Sequence, residues 1–360
     1  MGPDMDPSIS VIMPTYNCRT TIDRSLPPLL EMQRRGEICE VIVVDDGSTD
    51  DTAQVAAAVG ARVITCKSTK GPAAARNLGV QHACGNIIWF VDADVVPNAD
   101  AARQVRHTLA TRDYSAVFGS YDETPPARNF LSQYKNLVYY HYHQIIRRRV
   151  STFWAGCGAV WKDIFLRLGG FDVGFQRPSI EDIEFGYRVT AAGGLIQQAA
   201  DLQGTHLKVW TFKSLMIAEL RDRAIPWAFL LLTRGCASDE LNVAVTERIR
   251  ALVACLCAIS LAATVLGLTP WWFTSFLLVT ALVANLELFA LFHRKNGLCF
   301  AARGILFHQF YYLYSTTAYC WCWLVTKARS PFLRGSRGTQ AIPRKSLGFP
   351  AKPLEPLSNY

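Results

Sequence analysis

Between Ala251 and Leu286 the sequence holds no aspartate, glutamate, lysine or arginine. An uncharged stretch of that length reads as membrane-embedded. The chain also lacks a G-x-G-x-x-G turn and a G-x-x-x-x-G-K-[ST] loop, which disfavours dinucleotide binding and ATP-type phosphoryl transfer. None of the scattered cysteines pairs at metal-ligand spacing with histidines nearby; Cys255-x-Cys257 and Cys320-x-Cys322 lie in apolar stretches and read as packing residues. Basic and aromatic residues do not interleave as a nucleic-acid groove requires, so no nucleic-acid partner is expected. Residues 1–10 are polar, and the run Ile9 to Met13 is too short for a signal core, so the N-terminal part is expected in the cytoplasm, where thiols stay reduced.

What is present is greasy for a water-soluble enzyme. The 360 residues are 50% hydrophobic and 18% charged, with a mean hydropathy of +0.13. That length allows one large domain and something extra. The net charge is +8, and much of it flanks the apolar region: Arg221, Arg223, Arg234, Arg248, Arg250, Arg294 and Lys295, then Lys327, Arg329, Arg334, Arg337, Arg344 and Lys345. Basic flanks of this kind anchor apolar spans on the cytoplasmic side.

The N-terminal half alternates short apolar runs with helical stretches. Strands are expected at 9–13, 40–44, 61–66 and 87–91, and helices at 20–34, 51–59 and 72–84, with Asp50 or Ser48 capping the second. That alternation predicts a parallel sheet built from right-handed crossovers. The run Ile87-Ile88-Trp89-Phe90-Val91 is apolar throughout, as in a strand covered on both faces, and ends in Asp92-Ala93-Asp94. Two hard oxygen donors at the carboxyl end of a strand suit Mg²⁺ or Mn²⁺, and such an ion suits a diphosphate. Other strand ends offer matching groups. Pro14, Thr15 and Tyr16 supply a rigid turn and a ring for a base; Asp46 is an acceptor for a base N–H or ribose hydroxyls. Arg76 could brace Asp46 or a phosphate.

VIMPTYN at 11–17, VVDDGSTDDT at 43–52, GPAAARN at 71–77 and VDAD at 91–94 resemble, in order and spacing, the nucleotide-sugar half of family 2 glycosyltransferases. The resemblance covers about residues 8–206 and implies a GT-A fold: α/β, with a mainly parallel central sheet. It implies that Asp46 contacts the nucleobase and that Asp92 and Asp94 bind metal and diphosphate. In the second half, WAGCGAVWK at 154–162, LGGFD at 168–172 and EDIEFGYR at 181–188 match the acceptor-binding and catalytic segment. By that match Asp182 resembles the general base, Glu181 helps to place it or the acceptor, and Trp154, Gly156 and Cys157 face the acceptor. Arg188 is read as a brace for its helix. His206 stands where some members bring a histidine to the metal. His141 and His143 read as core or interface histidines.

The expected organisation is a glycosyltransferase domain at 1–206, amphipathic interfacial helices at 207–248, a membrane region at 249–326 and a basic, disordered tail at 327–360. Spans are predicted at 249–268 and 271–292, with a third apolar stretch at 305–325 that spans, re-enters or lies in the interface. The turn Thr269-Pro270 belongs outside, and His293 to Lys295 inside with the catalytic domain. The implied protein is a multi-pass enzyme of the cytoplasmic membrane, working on cell-envelope glycan. It would move one sugar from a nucleoside diphosphate donor to a hydroxyl of a lipid or lipid-linked acceptor with inversion. The absence of the Gln-x-x-Arg-Trp signature of processive synthases fits single transfer. A polyprenyl-phosphate glycosyltransferase and a non-catalytic nucleotide-binding membrane scaffold are the alternatives.

Overall fold

The structure, a computed structural model, describes residues 7–145, 149–234 and 243–333. The first half forms β1 (Ile9–Thr15), α1 (Arg19–Arg34), β2 (Glu40–Asp45), α2 (Thr52–Ala58), β3 (Arg62–Thr65), α3 (Pro72–His82), β4 (Ile87–Val91) and β5 (Val95–Pro97). Helix α1 runs unbroken through Pro27 and Pro28. Asp50 accepts the Thr52 N–H at 3.0 Å at the start of α2. Then follow α4 (Ala101–Leu109), β6 (Ala116–Tyr121), α5 (Phe130–Ile145), β7 (Arg149–Val150), β8 (Cys157–Trp161), α6 (Lys162–Arg167), α7 (Glu181–Ala191) and β9 (Ile196–His206).

One sheet carries the domain, in the order β3-β2-β1-β4-β8-β6-β9-β5, with β7 on β9. Its β3-β2-β1-β4 half is parallel, as the sequence predicts. Beyond β4 it is mixed, because β8 runs antiparallel to both β4 and β6, and β5 antiparallel to β9. The expectation of a mainly parallel sheet therefore holds for the β3-β2-β1-β4 half, and in the other half only β6 and β9 pair in parallel. Five phenylalanines, Phe90, Phe153, Phe165, Phe171 and Phe185, meet at centroid separations of 5.1 to 6.5 Å and weld the two halves. Each buried ring contributes on the order of 1.5–3 kcal/mol.

After the sheet come α8 (Phe212–Met216), a π-helical stretch (Ile217–Ala224) and α9 (Ile225–Arg234). Helix α10 (Val245–Val265) and α11 (Trp271–Ala284) form a hairpin closed by Thr264 and Thr274 hydroxyls 2.7 Å apart. Helix α12 runs from Leu286 to Leu333 with a kink at Gly297. Only α10, about 32 Å long at 1.5 Å per residue, is by itself long and apolar enough to cross a bilayer among the described residues. The span predicted at 271–292 is two helices: α11 stops at Ala284 and α12 leaves it at 69°. The cause is Asn285, which bonds the Ala281 carbonyl at 2.8 Å and accepts the Tyr312 hydroxyl at 3.1 Å. Residues 327–333 extend α12 rather than opening a tail; the rest of that tail lies outside the described residues. Helix α12 packs on the domain through Leu288, Phe292 and Ile305 against Tyr134, Leu137 and Tyr142. Buried Glu247 accepts hydroxyls from Tyr142 at 2.7 Å and Tyr312 at 2.8 Å, joining α5, α10 and α12.

Candidate functional site

Parallel register brings the carboxyl ends of β1, β2 and β4 to one edge. Asp46, just past β2, is buried and accepts the Lys70 N–H at 2.9 Å and the Gly71 N–H at 2.8 Å. It thereby holds the loop that opens α3. Gly71 has a φ of 91°, and a Cβ there would stand 2.6 Å from the Gln176 carbonyl, so the loop needs glycine. Pro14 and buried Thr15 end β1, and the Tyr16 ring stands half exposed beside them. A clasp not anticipated from the sequence fixes that turn: Asn17, in the left-handed region at φ 52°, accepts the Thr49 N–H at 2.8 Å and donates its own N–H to Ser48 at 2.9 Å.

Arg76 does not reach Asp46. Its buried guanidinium bonds Asp92 Oδ1 at 2.7 Å and Glu181 Oε1 at 2.8 Å, so one side chain spans the two halves of the site. Asp92 also donates its backbone N–H to the Gly156 carbonyl at 3.1 Å. A Cβ on Gly156 would meet the Trp154 ring at 2.5 Å, which is why this approach needs glycine. Ala93 is buried, and its carbonyl accepts the Ser25 hydroxyl at 2.8 Å.

Strand β9 pairs His206 with Val95 and sets its Nε2 3.6 Å from Asp94 Oδ2. The imidazole stacks on Tyr121 at 4.0 Å and 8°. Burial alone would raise the Asp94 carboxyl, but His206 and Lys208 outweigh it and pull it down to about 2. Asp92, Asp94 and His206 do not close into one tight ligand trio among the described residues; Asp94 and His206 form the near pair. A carboxylate oxygen and an imidazole with room for phosphate oxygens suit a divalent cation that completes its shell on a substrate.

Asp182 opens α7. It accepts the Ala155 N–H at 3.0 Å on Oδ2 and the Ile183 N–H at 2.8 Å on Oδ1. Burial, then the neighbouring Glu181 charge, push its carboxyl up to about 7 against the pull of those N–H groups and Arg76. Glu181 itself is clamped by Arg76 and the Ser179 N–H at 2.9 Å. Arg188 braces α7 as expected, bonding Glu184 at 2.9 Å and the Gly170 carbonyl at 2.7 Å. Asn77 ties the same turn to α3, with Phe171 N–H and C=O at 2.9 and 2.8 Å.

Trp154 lines the cleft beside Tyr121, ring centroids 4.7 Å apart. Cys157 does not face it. The residue is fully buried in β8 opposite Val91, and burial pushes its thiol up to about 12, so it packs rather than binds. His143 is a buried cleft wall near Trp154 and Phe118, its imidazole driven down to about 4 by desolvation. Three charged residues of the same cleft escape a reading of the sequence. There Lys135 of α5 meets Glu219 of the π-helical stretch at 2.8 Å, with Arg223 at 3.7 Å from the same oxygen. The available signal was a lysine in the tyrosine- and histidine-rich stretch around 130–143 and a glutamate in the stretch read as interfacial.

Residues 10–169 match the family described as Glycosyl transferase family 2. Over 117 residues, 32% of this chain and 46% of the relative, the sequence is 31% identical to the UDP-Glc:alpha-D-GlcNAc-diphosphoundecaprenol beta-1,3-glucosyltransferase WfgD of Escherichia coli. Over 211 residues, 56% of this chain and 67% of the relative, it is 26% identical to glycosyltransferase AglE of Haloferax volcanii. A solved structure of mannosyltransferase PcManGT from Pyrobaculum calidifontis, in complex with GDP-Man and Mn²⁺, aligns over 89% of this chain and 88% of its own at 20% identity, with a TM-score of 0.46. The chain spans between 15% and 46% of the length of the first four curated relatives it matches.

Proposed function

We propose that this chain is a membrane-anchored, inverting glycosyltransferase of the GT-A type. It would move a single sugar from a nucleoside diphosphate donor to a hydroxyl of a lipid or lipid-linked acceptor. The observation that carries this reading is the convergence at one sheet edge of Asp46, Asp92, Asp94 and Asp182, with Arg76 bonded to both Asp92 and Glu181. The match of residues 10–169 to family 2 supports it. The diphosphoundecaprenol in the name of the E. coli relative supports a lipid-linked acceptor.

In this reading the turn at 14–16 and Asp46 receive the nucleoside, with Tyr16 as the ring that meets the base. Asp94, His206 and Asp92 would hold Mg²⁺ or Mn²⁺, which when bound supplies positive charge against the leaving diphosphate. Asp182 takes the proton from the acceptor hydroxyl while that oxygen attacks the anomeric carbon on the face opposite the diphosphate. An α-linked donor then gives a β-linked product. A base works best with a pKa near the working pH, and the Asp182 carboxyl, raised to about 7, meets that condition. The Ala155 and Ile183 N–H groups hold its orientation. Trp154 and the backbone at Gly156 form the acceptor wall.

Membrane anchoring rests on α10 and on the apolar outer faces of α10 and α11, where Ile259 is 66% exposed and Trp271 74%. Arg294 and Lys295 contact Glu123 of the sheet domain, which supports placing that end of α12 on the same side as the active site.

Membranes carrying the full chain should convert at least one nucleotide sugar, from a panel with labelled sugars, into lipid-extractable label. A chelator should stop this and Mn²⁺ or Mg²⁺ restore it. Asp94→Asn should cost about 10²–10³-fold, the scale of removing a fixed electrostatic stabiliser. No product with any donor would overturn the reading, and undiminished transfer in excess chelator would remove the metal from it.

A further inference from the structure

Two cavities meet behind Asp182. The inner one, of about 70 Å³, is bounded by Asp182, Trp154, Lys135, Glu219 and Arg223. The outer one, of about 620 Å³, continues from it: Glu219, Arg223, Trp227, Tyr311 and Tyr314 line both. Its far wall is Ala228 and Leu231 of α9 and Ala251, Leu252 and Cys255 of α10. Leu252, 59% exposed, belongs to the apolar outer face of α10 that also carries Ile259. A passage thus runs from the base carboxylate to the face read as membrane-embedded.

The charge at the junction is unbalanced. Lys135 and Arg223 share one carboxylate, Glu219, whose other oxygen accepts the Tyr314 hydroxyl at 3.3 Å. Among the described residues Arg223 makes no hydrogen bond and lies 3.7 Å from Glu219, its ring partner being Tyr139. Glu247 also borders the outer cavity, but its oxygens are taken by Tyr142, Tyr312 and Arg250. The Arg223 side chain is 31% exposed, toward the cavity, and its packing pulls the guanidinium below its ordinary value. The side chain is left with donors facing a cavity and no acceptor for them. A phosphate oxygen is the acceptor that guanidinium geometry favours.

We infer that the outer cavity is the berth of a phosphate-linked lipid, its phosphate on Arg223 and Lys135, its chain along α9 and α10, and its glycosyl-accepting end toward Asp182. This rests on the proposed transfer reaction and adds to it an anionic head group and a route of entry from the bilayer.

The test uses the full chain in nanodiscs and a dodecyl phosphate bearing a benzophenone at its tail. Photolysis should label peptides of α9 and α10, and excess plain dodecyl phosphate should suppress the label. Dodecanol and inorganic phosphate should each compete at least about tenfold less well, because each lacks one half of the recognition. Arg223→Gln should weaken dodecyl phosphate competition about tenfold or more while nucleotide affinity holds. Leu252→Trp, at an exposed position that cannot disturb a core, should do the same by filling the berth. Equal competition by dodecanol would overturn the phosphate site, and equal competition by inorganic phosphate would overturn the lipid berth. Unchanged competition in Leu252→Trp, or label only outside α9 and α10, would overturn the location. The readout needs no sugar transfer: transfer without labelling sinks this inference alone, and labelling without transfer sinks only the proposed reaction.

Discussion

The two sides of the cleft are built on different principles. On the proposed donor side the strand ends are fixed largely by backbone hydrogen bonds. Asp46 takes the N–H groups of Lys70 and Gly71, and Asp92 hands its own N–H to Gly156. On the acceptor side, charge is held by charge across helices far apart in sequence, as where Lys135, Glu219 and Arg223 meet. Backbone donors are fixed by the fold, because moving one means moving a strand. Side-chain pairs can be exchanged without touching the sheet. The proposed donor edge is therefore the rigid half and the proposed acceptor wall the adaptable one. Asp182 belongs to both, gripped by two N–H groups yet titrated up by burial and by Glu181.

The sharpest way to break this contrast is Asp182→Asn. It should lose about 10²–10⁴-fold in transfer, the usual range for a general base, while nucleotide affinity measured by calorimetry stays put. In the parent, kcat/KM should climb with pH through a limb near 7, where the raised carboxyl ionises. The stability effect has the opposite sign. A carboxyl raised in the native state binds its proton more tightly folded than unfolded, so stability falls as pH rises from the ordinary carboxylate range to about 7. Asp182→Asn, which does not titrate, should remove this part of the pH dependence of the melting temperature. A variant that transfers at the parental rate would dethrone the base and favour a phosphate nucleophile that needs none.

Next in size is the clasp between the sides. Arg76→Met strands Asp92 and buried Glu181 without their cation, and breaking a buried pair in this way costs roughly 3–5 kcal/mol. Denaturation of the full chain should record that loss together with lower donor affinity; a stable variant with intact donor binding would mean the two sides are independent. The smallest effect is expected at the exposed rim. Tyr16→Ala should weaken nucleotide binding by about two- to tenfold, the worth of one aromatic contact, and leave the melting temperature alone. No change in nucleotide affinity would remove Tyr16 from the donor site.

The same contrast explains what could be read from the residues. Strand ends in successive βα units fall side by side, so Asp46, Asp92 and their turns were legible as one edge before any coordinates. Arg76 was legible as a bracing group but its partners were not, because Glu181 lies in a helix entered only after the sheet has turned mixed. Cys157 sits in a motif that lines a cleft, yet strand alternation turns its side chain inward. The break at Asn285 escapes a hydropathy reading entirely, since no proline or glycine marks it; one carboxamide with partners on two helices makes the bend. Arg223 looked like one more interfacial cation until the cavity around it was visible.

Arg76 carries one more consequence. A donor phosphate arriving beside Asp92 changes what that guanidinium can give to Glu181, and Glu181 is the charge that lifts the Asp182 proton affinity. Two binding events on one protein are thermodynamically reciprocal. By whatever factor the nucleotide sugar alters proton binding at Asp182, the proton must alter nucleotide-sugar binding by that same factor. Donor affinity followed against pH would then bend near the Asp182 titration, and the area between the liganded and free proton-uptake curves would measure how strongly the two ends of one arginine speak to each other.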